Sequence, residues 1–196
     1  MTQSLLLKSA LALAMATPLL ASAESQLVTG AGNAVARLDF RVIVPRVLFL
    51  GVGTGAATLT NNSTIDTVTF DYSTNAAAVG TGAAAGTITG NVVPVRVVGN
   101  NGQVTLTAST SGALTSGADT INWSEITSVS SAAATLPSPV IPNTGASAAS
   151  NVALSSGTKI TDRTANWTFS YANSAVVAPG TYGTTNGRVT YTAAMP

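Results

Sequence analysis

Two residue types that carry much of enzyme chemistry are missing. The 196-residue chain has no histidine and no cysteine. Without His, the commonest general base and the commonest zinc ligand are gone. Without Cys there is no thiol nucleophile, iron–sulfur cluster or thiolate metal site. Ser156 and Lys159 stand in an S-x-x-K spacing, the arrangement of serine–lysine acyl chemistry, but Gly157 places them in a turn and the partner motifs S-D-N and K-T-G do not occur. A solvated turn is the plainer reading. Asp119 and Glu125 flank Trp123, a layout that would suit a sugar held between an acid and a base. A general acid needs a raised carboxyl pKa, and so a pocket, which nothing around these residues announces. No calcium loop of the D-x-[DN]-x-[DN]-G type occurs. Asn61, Asn122 and Asn166 match glycosylation acceptors, as expected by chance in a chain so rich in Thr, Ser and Asn. The residue inventory therefore predicts no catalytic residue, no metal ligand and no cofactor, and places a hydrolase last among the candidate functions.

The elements that must position these residues are strands. Trp167, Phe169 and Tyr171 alternate with Asn166, Thr168 and Ser170, and Val189, Tyr191 and Ala193 alternate with Arg188, Thr190 and Thr192. Period two means one apolar face per strand. Asn186-Gly187 lies between them, and both residues accept positive φ cheaply, so the two runs read as a terminal hairpin. Its core would be Trp167, Phe169, Tyr171, Val189 and Tyr191. Near the start, Leu38, Phe40, Val42 and Val44 share a face opposite Arg37, Asp39 and Arg41, which predicts a strand over residues 37–44. Pro45 interrupts it, and residues 47–52 continue as an apolar run. Residues 65–72, 92–98, 104–108 and 120–126 are further strands, with Gly99-Asn100-Asn101-Gly102 as a hairpin link and Pro94 marking an edge or bulge. Residues 75–90 and 128–150 read as loops, and residues 152–154 and 159–162 as short strands. About eight or nine strands, with turn signals every ten residues or so, predict an all-β fold. The expected architecture is an antiparallel, immunoglobulin-like β-sandwich with Greek-key links, one domain over residues 36–196.

Residues 1–23 read as a secretory signal peptide: Lys8 supplies the charge, residues 11–20 the apolar run and Ala21-Ser22-Ala23 the cleavage site. The run is shorter than the roughly 18 apolar residues a spanning helix needs, and no later stretch reaches that length. The mature chain is expected to begin near Glu24, to have no transmembrane segment, and to open with a flexible Gly-rich leader over residues 24–35. The chain has 8 basic and 7 acidic residues, and Lys8 leaves with the signal peptide. A neutral mature chain has little to offer a phosphate backbone, so no nucleic-acid partner is expected. Charged residues make up only 8%, which leaves a surface with little self-repulsion.

The stretch AVARLDFRVIVPRVLFLGVG, residues 34–53, is similar to the opening of the fimbrial subunits of archaic chaperone–usher pili, the spore-coat-U-like proteins. The ending PGTYGTTNGRVTYTAAMP resembles theirs too, with residues 179–182 at a Gly-Thr-Tyr corner and residues 188–193 in the last strand. Those subunits usually carry a Cys pair; here Pro45 and Arg46 stand near the first position and no Cys follows. The resemblance implies an incomplete immunoglobulin-like sandwich, a periplasmic chaperone, an outer-membrane usher, and a polymer of identical subunits.

Together these readings predict a non-enzymatic structural subunit of an extracellular filament or surface layer. It would be secreted to the surface of a bacterium by way of the periplasm and would self-associate by donor-strand exchange. Candidate assembly residues are Leu27, Val28, Val35, Leu38, Phe40, Val42 and Val44. Residues 26–35 are the preferred exchanged segment, with residues 37–44 expected to pair inside their own sandwich. The alternative is a secreted binding module for a polysaccharide or envelope component, with Trp123, Tyr72 or Tyr182 as exposed platforms.

Overall fold

The computed structural model describes residues 25–196; the signal peptide expected over residues 1–23 lies outside them. The chain divides into two compact units, Met1–Val44 and Pro45–Pro196. In the first, residues 25–44 form neither strand nor helix. The strand expected over residues 37–44 is therefore not formed.

The second unit is all-β and antiparallel. Its strands are β1 (Leu48–Val52), β2 (Thr69–Asp71), β3 (Thr87–Thr89), β4 (Val92–Gly99), β5 (Thr105–Thr110), β6 (Leu114–Ser116), β7 (Asp119–Ile121), β8 (Ile126–Ser130), β9 (Gly145–Ala146), β10 (Ser150–Asn151), β11 (Thr161–Tyr171) and β12 (Thr190–Ala194). Single 3-10 turns at Ala76–Ala78 and Trp123–Glu125 are the only helical pieces among the described residues. One sheet has the order β1-β4-β11-β8. The other has the order β10-β5-β12, with β9 also pairing with β5. Two small ribbons, β2-β3 and β6-β7, complete the set.

The period-two pattern explains why the two larger sheets share a core in a sandwich-like arrangement. Val93, Val95 and Val97 on β4 and Ala165, Trp167 and Phe169 on β11 turn to one side. Leu106 on β5, with Val104 just before it, meets them from the other sheet. Trp123, Leu136, Ile141 and Val152 from the connecting segments close the ends of this cluster. Polar and charged partners such as Arg96, Asp162, Thr164 and Thr168 alternate outward, where they are exposed or half-exposed.

Two expected hairpins are corrected. β4 and β5 do not pair with each other; they lie in different sheets, so residues 99–104 form an arch across the core. Gly99 is where this arch turns in, and a Cβ there would come within 2.8 Å of Val104 Cγ2. The terminal hairpin is likewise absent, because β11 lies between β4 and β8 while β12 pairs with β5. Asn186 does not make a two-residue turn. Its side-chain oxygen accepts from the N–H and hydroxyl of Thr115, 3.1 Å in each case, which anchors the crossing segment to β6. Both errors have one cause. Alternation marks a buried face, but a strand pair within a sheet and a strand pair facing across a core alternate alike.

Pro94 sits in the middle of the first sheet, between β1 and β11, where an edge or bulge was expected. The register removes the conflict. Pro94 C=O accepts from Gly53 N–H at 2.8 Å, so its backbone faces the end of β1. The N–H that proline lacks falls where β1 has run out, and no bond to β11 is lost.

Candidate assembly groove

The candidate catalytic groups are scattered and unsuited to acid–base work. Ser156 and Lys159 lie in an exposed turn closed by the bridge between Ser156 and Ile160. Trp123 is buried, and its indole N–H donates to Gly112 C=O at 2.7 Å, so it is a core residue and not a platform. Glu125 accepts from the Ser174 hydroxyl at 2.5 Å and from Ser174 N–H at 3.0 Å. These bonds hold its carboxyl below the ordinary range, the opposite of what a general acid needs. Among the described residues no group of three or more Asp or Glu stands together as a metal cage would require. Two shallow surface depressions, of about 320 and 350 Å³, have no Asp or Glu side chain in their walls.

The edge strands of the two larger sheets are β1 and β8 in one and β10 and β12 in the other; of these, β1, which pairs only with β4, and β12, which pairs only with β5, meet on the same side. The two edges lie side by side. The Arg46 guanidinium, just before β1, donates to Met195 C=O, just after β12, at 2.9 Å. Leu50 and Val52 from β1, and Val189, Tyr191, Ala193 and Met195 along β12, are half-buried and pack against the core beneath these edges. An apolar row under an unpaired edge is a template for another strand.

Neighbouring bonds show which backbone groups are unpaired. Ser147 N–H donates to Ala108 C=O, Ala108 N–H donates to Ser147 Oγ, and Val152 N–H donates to Val104 C=O. The even residues of β5 therefore face β9 and β10, and Thr105, Thr107 and Ser109 face β12. Their partners there are Ala194, Thr192 and Thr190. Backbone direction alternates along a strand, so Tyr191 and Ala193 aim N–H and C=O at the open edge. On β1, Val47 C=O accepts from Asn100 N–H and Gly53 N–H donates to Pro94, so Leu48, Leu50 and Val52 face away from β4.

Tyr191 is the electrostatic oddity of the β12 edge. Its hydroxyl is buried with no hydrogen-bond partner, and burial pushes its pKa far above the ordinary tyrosine range. The Trp167 indole N–H is also buried and unpaired, and the two rings are 5.0 Å apart.

The expected assembly residues separate into two groups. Gln26 Oε1 accepts from Val35 N–H at 3.1 Å, which closes the leader on itself. Leu27, Val28 and Val35 in it form no period-two row. Residues 38–44 do: Leu38, Phe40, Val42 and Val44 are 72, 86, 85 and 73% exposed. Of the expected hairpin core, Trp167 and Phe169 are buried, Val189 and Tyr191 underlie the β12 edge, and Tyr171 is half-exposed beside Phe70 and Tyr72, with ring centroids 6.2 and 6.0 Å apart. The open edges themselves had no sequence signal, since edge and centre are decided by the strand order.

The class these observations define is an antiparallel all-β protein in which two edge strands, β1 and β12, lie next to each other, with an alternating apolar segment at residues 38–44 that is in no strand. In comparison with known proteins, no family model matches this chain, and no curated protein and no solved structure matches it either.

Proposed function

We propose that this chain is a non-enzymatic structural subunit that polymerises into an extracellular filament or surface layer by strand donation. Residues 38–44 of one copy add to the open edge of β12 of another. The observation that carries this reading is a match of supply and demand: a segment outside every strand with four exposed apolar side chains at period two, and an open edge backed by four half-buried apolar side chains at the same period. Main-chain bonds would give the affinity and the alternate side chains the fit.

The strand order supports an immunoglobulin-like plan. β1-β4-β11-β8 facing a sheet in which β5 pairs with β12, β10 and β9 allows the β5-β12 pair to be read as two strands of the three-strand sheet of that sandwich, with the third position beside β12 open. The incoming segment would supply it. On this reading the chain is exported by its signal peptide, a periplasmic chaperone covers the open edge in transit, and an outer-membrane usher receives the subunit. The exchanged segment differs from the expected leader, because only residues 38–44 have the alternation that a sheet edge requires.

The test is a pair of deletions in the full chain. Removing residues 36–44 is expected to leave a folded monomer, by circular dichroism and size-exclusion chromatography, that no longer forms multimers. Removing residues 24–35 is expected to leave assembly intact. Multimers from the first variant equal to those of the unaltered chain would refute strand donation.

A further inference from the structure

We propose that Phe40 of one copy seats against Ala193 of the next, and that this pair sets both the direction and the register of insertion. The inference rests on the strand-donation reading above and makes it specific to residues.

Four apolar side chains of the donor, Leu38, Phe40, Val42 and Val44, face four of the acceptor, Val189, Tyr191, Ala193 and Met195. Both rows have a spacing of roughly 6.7 Å, twice the strand rise. The acceptor row is uneven: Ala193 is a gap between the larger Tyr191 and Met195, and Phe40 is the largest donor side chain. Placing Phe40 opposite Ala193 in an antiparallel pairing sets Leu38 against Met195, Val42 against Tyr191 and Val44 against Val189. All four donors are then matched and none is left over. A parallel insertion with the same central pair sets Leu38 against Tyr191 and Val42 against Met195, and leaves Val189 uncovered and Val44 matched to none of the four. A slip of two residues one way places Phe40 on Tyr191, two large rings at one site. The same slip the other way leaves Val189 bare and sets Val42 over the Ala193 gap.

Backbone direction agrees. Tyr191 and Ala193 aim their N–H and C=O at the open edge, so their opposites, Val42 and Phe40, would be the hydrogen-bonded pairs. The polar donor residues Arg37, Asp39 and Arg41 then lie on the outer face, beside Thr192 and Ala194. The bond from Arg46 to Met195 C=O already occupies the outermost acceptor, which caps the ladder at the Leu38 end.

The absence of native cysteine makes the register measurable, since any disulfide must come from introduced thiols. Residues 39 and 194 would be a non-hydrogen-bonded pair, with Cα atoms about 4.5 Å apart, inside the range a disulfide spans. The double variant Asp39→Cys/Ala194→Cys is expected to give a covalent ladder of multimers on mild oxidation. Arg37→Cys/Ala194→Cys and Arg41→Cys/Ala194→Cys are expected to give none. A ladder from either shifted pair in place of the 39–194 pair overturns the register and leaves strand donation standing. Disulfides confined to single chains, or no ladder from any pair in a chain that forms no multimers, overturn both. A size swap gives a second reading. Ala193→Phe overfills the site and is expected to lower multimer yield roughly tenfold or more. Phe40→Ala added to it restores most of that yield. Failure of the swap to rescue a variant shown by circular dichroism to be folded overturns the Phe40–Ala193 pairing.

Discussion

The ring of Trp167 on β11 lies 5.0 Å from the ring of Tyr191 on β12, tilted by 57°, so one aromatic contact joins the two sheets directly beneath the open edge of β12. Trp167 is fully buried. Its loss would empty the largest side chain from the core and remove a contact that crosses between sheets. Trp167→Ala is expected to lower unfolding stability by about 3–5 kcal/mol. Urea unfolding followed by far-ultraviolet circular dichroism measures it, and a loss well under that range would mean the core collapses to fill the site.

Tyr191 responds in the opposite sense. Its buried hydroxyl has no partner, so Tyr191→Phe removes an unsatisfied polar group and keeps the ring. A gain of about 1 kcal/mol at neutral pH is expected. The pH dependence follows from burial, which raises the folded-state pKa from its ordinary 10.0. The folded state then holds the phenol proton more tightly than the unfolded chain does. That stability is fully present below the unfolded pKa and is lost as the pH rises from about 10 toward the folded value. Thermal melts across pH 8–11 should show melting temperature falling above pH 10 in the unaltered protein. Tyr191→Phe should flatten that fall, leaving the smaller contributions of Tyr72 and Tyr171, whose pKa values burial also raises.

Asn173 ties a loop to the end of β11. Its φ is 52°, a left-handed conformation that Asn tolerates better than most side chains. Its side-chain oxygen accepts from Gly80 N–H at 2.7 Å, and its amide donates to Ala78 C=O at 2.6 Å and Ala83 C=O at 3.0 Å. Asn173→Ala removes three bonds at a buried site and forces a methyl side chain into the left-handed region. A cost of about 2–4 kcal/mol is expected. Asn173→Gly keeps the backbone conformation and should recover about 1 kcal/mol of it. Equal losses in the two variants would place the whole effect in the hydrogen bonds.

What the sequence made legible was the face of each strand. Alternation put Trp167 and Phe169 on one apolar face, and both are buried; it also marked Leu38, Phe40, Val42 and Val44 as one row. It could not say which sheet a strand joins. The arch after Gly99 and the crossing segment around Asn186 both read as hairpins, because glycine and asparagine serve an arch between sheets as well as a tight turn. Nor could it show that residues 38–44 join no sheet of their own chain, since an alternating row fits a strand of its own sandwich and a strand for a neighbour equally well. The open edge of β12 follows from long-range pairing, and no local pattern encodes long-range pairing.

If residues 38–44 complete the fold, the segment should act when supplied in trans. A chain lacking residues 36–44 keeps the whole unit Pro45–Pro196, including the free edge of β12. A synthetic peptide of residues 36–44 should raise its melting temperature in a concentration-dependent way, because a ligand that binds only the folded state stabilises by mass action. At a hundredfold excess over Kd the stabilisation is about 2.7 kcal/mol. A peptide with Phe40→Ser should need much more to reach the same shift, since it leaves the Ala193 site unfilled and buries a hydroxyl without a partner. An Arg37→Ser peptide alters only the outward face and should act like the native one. Equal effects from the Phe40→Ser and native peptides would mean that the edge takes up backbone without reading side chains, and that the fit along β12 selects nothing.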